Sequence, residues 1–153
     1  MLWDTFDGSA DADIALPPYQ LQGGNLLKFA TNFLRFNAAL FIVFGICFIV
    51  APKFFAYALT GSEPLTASAM IDMRATYGGM GLGIGLLFWF LARQRETVTA
   101  GLVGTFMVLG ATAMARVVGF FVDGSPNAFM LVLFGAEVLF VVLSASALKR
   151  VTD

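Results

Sequence analysis

The stretch Arg74-Ala75-Thr76-Tyr77-Gly78-Gly79-Met80-Gly81-Leu82-Gly83-Ile84-Gly85 decides how this chain is read. A cation and a phenol lead into an apolar segment, and five glycines then fall within eight residues. In water this would be a poor helix, because each Gly costs about 1 kcal/mol relative to Ala. In lipid the backbone must bond to itself, so the helix forms and the glycines become a flat face. Ala75, Gly79 and Gly83 recur at four-residue spacing, with Gly81 and Gly85 on a neighbouring stripe. Small residues at that spacing let a second helix come close. The stretch reads as the central helix of a compact membrane bundle.

Composition carries the same message. Of 153 residues, 59% are hydrophobic and 12% charged, and the mean hydropathy is +0.84. Soluble domains hold about twice that charged share. The apolar residues gather in runs near the roughly 20 residues a membrane helix needs. The length suits one domain. Cys47 is the only cysteine, which excludes an intramolecular disulfide. There is no histidine, and therefore neither the commonest general base nor the commonest metal ligand. No basic nucleic-acid surface is present.

Residues 1–25 hold Asp4, Asp7, Asp11 and Asp13 without a Lys or Arg, and they lack the order of a secretory signal. They are expected to form an acidic flexible tail ahead of a transmembrane domain over 26–150. Four spans are predicted there, at about 29–51, 67–92, 98–122 and 128–148. Pro52 marks the end of the first. Lys53 with Phe54, Phe55 and Tyr57 suits an interfacial segment. Ser62-Glu63-Pro64 reads as a helix start. Residues 93–96 form a short basic loop, and Asp123-Gly124-Ser125-Pro126-Asn127 reads as a turn. The fold class expected is an all-α, integral membrane four-helix bundle. The positive-inside rule puts Lys28, Arg35, Arg93, Arg95, Lys149 and Arg150 on the cytoplasmic side, with both termini. Lys53 dissents.

Ala111, Ala115 and Gly119 repeat the four-residue spacing on the third span. The helix-packing surface is therefore expected to join Gly79 and Gly83 to Ala111, Ala115 and Gly119.

Two ionisable residues lie well inside spans, Arg116 and Glu137. Intramembrane charges cost at least about 2.5–3.5 kcal/mol and normally face the bundle interior with a partner. At 1.5 Å per residue, Arg116 sits about 10 Å and Glu137 about 14 Å below the outer ends of their helices, levels a hairpin brings together. One outward-facing polar cluster of Arg74, Arg116 and Glu137 is predicted, with Tyr77 and Asp72 at its rim. The bland reading is a buried Arg–Glu pair that sets helix register. The functional reading notes that two arginines to one glutamate leave spare donors, and that the planar guanidinium suits carboxylate or phosphate. A proton relay through Glu137 fits less well, since a neighbouring cation favours the charged carboxylate.

The glycine run is not a phosphate loop, because it lies within an apolar helix and not between a strand and a helix. No Ser/His/Asp arrangement, cysteine cluster or ligand-spaced carboxylate pair supports enzymatic or metal chemistry. No cofactor is expected. Arg74-Ala75-Thr76-Tyr77-Gly78-Gly79, then Gly83, Arg116, Gly119 and Glu137, resembles a bacterial family of small four-span membrane proteins known only as a domain of unknown function. The likeness covers roughly residues 30–150. It implies an inner-membrane protein with marked positions at Arg74, Tyr77, Gly78, Gly79, Arg116 and Glu137, and it supplies no activity. The expected function is non-enzymatic binding of a lipid headgroup or small anion at Arg74, Tyr77, Arg116 and Glu137. The alternative is an accessory subunit that assembles with itself or another membrane protein through its glycine faces.

Overall fold

In the computed structural model, which describes residues 18–152 and the side chains of residues 24–150, Pro52 both ends one helix and starts the next. Helix α1 spans Pro18–Val50, so residues 18–25 of the expected tail are helical; residues 1–17 lie outside the described residues. Proline cannot donate the hydrogen bond that would carry α1 onward, but it suits the first turn of a new helix. Helix α2, Pro52–Thr60, follows at once and stops at Gly61, whose φ of 78° is left-handed and whose N–H returns to the Tyr57 carbonyl. The residues expected as an interfacial segment are thus a separate helix.

Helix α3 spans Ala67–Met73, a π-helical segment follows over Arg74–Gly79, and helix α4 spans Met80–Leu91. Thr66, and not Ser62, caps α3: its hydroxyl accepts from the Ala69 N–H at 3.1 Å. The three pieces form one uninterrupted helical run over residues 67–91. Helix α5 spans Arg95–Val122, and helix α6 spans Ala128–Thr152. The expected four-helix bundle is therefore corrected to five helical runs among the described residues, the short α2 being the addition. There is no strand among them.

Among the described residues, three helices are long and apolar enough to cross a membrane: Gly24–Val50, Arg95–Val122 and Ala128–Arg150. At 1.5 Å per residue they measure about 35–42 Å, against about 30 Å of hydrocarbon. Val43, Met107, Met114, Val118, Val132 and Leu139 are exposed on these helices. An apolar exterior on apolar helices belongs in lipid.

Helix α1 is the hub, packing most extensively against α4 and also against the π segment, α5 and α6. The close approach of α1 and α4 is made by glycine. A methyl group at Gly45 would overlap the Leu82 nitrogen and lie 2.7 Å from the Gly78 oxygen. One at Gly85 would lie 2.7 Å from the Ile42 nitrogen. These glycines, with Gly81, are buried or nearly so. The expected seam falls elsewhere: Gly79, Gly83, Ala111, Ala115 and Gly119 are all exposed, and nothing lies within 4 Å of where a Gly83 methyl would stand. Five glycines in eight residues leave two faces of this helix equally small, and Gly45 on α1 selects between them. At one end of the bundle Ala30 and Phe33 of α1, Val98 and Leu102 of α5 and Ala147 of α6 form a shared core. Beside it Leu34 and Ala38 enclose Phe88 and Ala92.

Candidate functional site

Helices α5 and α6 are joined by a five-residue turn, which sets their register. Asn127 organises that turn. Its Oδ1 accepts from the Met130 N–H at 2.8 Å, capping α6, while its Nδ2 donates to the Leu59 carbonyl of α2 at 3.0 Å. In the sequence Asn127 has only a place in the turn. The signal that could have singled it out is Asn directly ahead of a long apolar run, the commonest kind of helix cap.

With the hairpin so registered, Arg116 of α5 meets Glu137 of α6. Nε of Arg116 donates to both carboxylate oxygens at 2.9 Å, and Nη1 reaches the Met130 sulfur at 2.8 Å. The pair is well enclosed, with side-chain exposures of 23% for Arg116 and 11% for Glu137. Enclosure strengthens the attraction and also makes a lone charge costly, so each residue needs the other. Nη2 of Arg116 has no hydrogen-bond partner among the described residues, and it is not sealed from its surroundings.

Arg74 and Tyr77 are placed differently. Arg74 opens the π segment, and its Nη1 donates to the carbonyl of Ile49, the penultimate residue of α1. Tyr77 stacks on Phe48 with ring centroids 5.2 Å apart at 27°. The carbonyls of a helix's last turn lack intrahelical donors, and that end carries partial negative charge, so a cation there is favourable. Arg74 is in effect the C-terminal cap of α1. No hydrogen bond or ion pair joins Arg74 or Tyr77 to Arg116 or Glu137 among the described residues. Asp72 accepts from the Thr76 hydroxyl at 3.3 Å on the surface.

Two arrangements therefore stand where one cluster was expected: an α5–α6 ion pair, and an arginine–tyrosine clamp on the end of α1. The remaining buried polar side chains serve their own helices. Asn37 donates to the Phe33 carbonyl, Thr105 to Gly101 and Ser144 to Phe140. No buried side-chain nitrogen or oxygen among the described residues is left without a partner. No group of His, Cys, Asp and Glu among them is placed to hold a metal. An open apolar groove of about 480 Å³ runs between α5 and α6, bordered by Ala111, Met114, Phe134 and Val138.

Residues 29–148 match the family described as Domain of unknown function (DUF4345), and the chain belongs to that family. No curated protein and no solved structure matches it.

Proposed function

We propose that this DUF4345 protein is a non-enzymatic, multi-span protein of a bacterial inner membrane that holds an anionic headgroup or small acid at Arg116. In this reading the run over residues 67–91 makes a fourth crossing, and both termini are cytoplasmic. The observation that supports it is the incomplete use of the Arg116 guanidinium. Glu137 engages Nε alone, and the Met130 thioether is a weak acceptor. Nη2 is left over on a residue whose backbone lies about 10 Å below the outer end of α5. A guanidinium group at that depth calls for a further acceptor, and carboxylate or phosphate fits its planar fork. Arg74 and Tyr77 enter this reading as the clamp that holds α1 to the α3–α4 run, and not as ligand contacts.

Native mass spectrometry of the gently solubilised protein, beside Arg116→Leu prepared identically, tests the reading. A discrete added mass in the parent, absent from a variant with unchanged helicity, is the expected result. Identical bare masses would overturn it.

The accessory-subunit reading has an observation of its own. Internal packing uses Gly45, Gly78, Gly81 and Gly85 and leaves Gly79, Gly83, Ala111, Ala115 and Gly119 exposed. Small exposed faces are the usual contacts between membrane helices. Gly83→Leu should then alter the oligomeric or partner state without disturbing the monomer, since its surroundings are open. An unaltered assembly would count against this second reading.

A further inference from the structure

At the bundle end opposite the Arg116 pair, residues 24–35 of α1 meet the turn between α4 and α5 around a cleft of about 240 Å³. Lys28, Thr31, Asn32 and Arg35 border it from α1, and Arg93 and Arg95 from the turn. On α1 these residues fall at i, i+3, i+4 and i+7, which is one face of a helix. All four cations are exposed, and none has a carboxylate within ion-pair distance among the described residues. Glu96, next along the chain, does not border the cleft. The positive end of α5 stands at the same rim, where Gln94 occupies the cap position without a side-chain capping bond. Four like charges with no described carboxylate at ion-pair distance repel one another, and an anion among them relieves that repulsion.

We infer that this cleft binds the phosphate group of an anionic lipid. The chemistry is that of a phosphate anion: arginine forks that match its oxygens, a lysine point charge, and hydroxyl and amide donors from Thr31 and Asn32. The position selects the lipid as its source. The cleft lies where two apolar helices of membrane-spanning length begin, Gly24–Val50 and Arg95–Val122, and where Ala128–Arg150 ends. Six of the chain's nine basic residues are at this end, Lys149 and Arg150 being the others. Basic clusters beside membrane helices attract anionic headgroups. The site is separate from Arg116 and does not depend on it.

The test uses the full chain in a mild detergent, titrated in native mass spectrometry with phosphatidylglycerol, phosphatidylcholine or inorganic phosphate. The expected result is a saturable phosphatidylglycerol adduct that phosphatidylcholine does not reproduce. Arg93→Ala with Arg95→Ala should weaken it roughly thirtyfold. Lys28→Gln with Arg35→Gln, on the other wall, should act alike; both pairs are exposed, so helicity should be unchanged. An equal adduct in these variants would overturn the inference. So would retention of inorganic phosphate without the lipid, which would assign the cleft to a soluble phosphate compound. Loss of the adduct in Arg116→Leu alone would place the bound lipid at the other end.

Discussion

Arg74 donates to the backbone carbonyl of Ile49, tying the start of the π segment to the end of α1. Pro52 stops α1 one turn after Phe48 and leaves its last carbonyls short of donors. The arginine supplies one. Arg74→Ala should lower stability by about 1–2 kcal/mol, with Arg74→Lys recovering part of it. Thermal unfolding in detergent, followed by circular dichroism, would show the difference. An unchanged midpoint would return Arg74 to the list of ligand contacts.

Two glycines of one stretch should behave in opposite ways. Gly78→Ala places a methyl 2.7 Å from the Ile49 side chain and 3.0 Å from its nitrogen. Forcing backbones apart in a packed seam costs about 1–3 kcal/mol. Gly83→Ala meets nothing within 4 Å, and should be neutral or stabilising by up to about 1 kcal/mol. The same unfolding measurement applied to both variants compares the two faces directly.

The Arg116–Glu137 pair should show strong coupling. Arg116→Leu alone leaves an enclosed carboxylate without its cation, a loss of about 3–5 kcal/mol. Adding Glu137→Leu should restore much of that loss, since two apolar residues need no partners. A double-mutant cycle in detergent measures this, and additive single effects would contradict the pairing.

Asn127 serves two helices at once. Asn127→Ala removes the α6 cap and the bond to Leu59, and should cost about 0.5–2 kcal/mol. Hydrogen exchange should quicken at Met130 and at the end of α2, while the distant core around Ala30 and Val98 keeps its protection. Uniform quickening would mean that the turn acts only through global stability.

The proposed topology is open to direct labelling. With Cys47→Ser as background, Gln94→Cys should react with an impermeant maleimide only after the membrane is opened. Ser125→Cys should react in intact cells. Reversal of the two patterns would invert the orientation.

The sequence by itself determined the class of molecule, the places where helices stop and the meeting of Arg116 with Glu137. Each of these is local. Span lengths follow from runs of apolar residues, Pro52 and Gly61 act through their own backbones, and two charges on either side of a short turn are brought level by helix geometry alone. Tertiary structure decided the rest. Sequence alone groups Arg74 with the other charges because its true partner is a main-chain carbonyl 25 residues away, and every residue carries such a carbonyl. It places the packing seam on Gly79 and Gly83 because five neighbouring glycines present two equivalent faces. Only the docking of α1, with Gly45 set against Gly78 and Leu82, breaks that equivalence. Spacing along one helix states which faces are small, and the shape of the neighbouring helix states which of them is used.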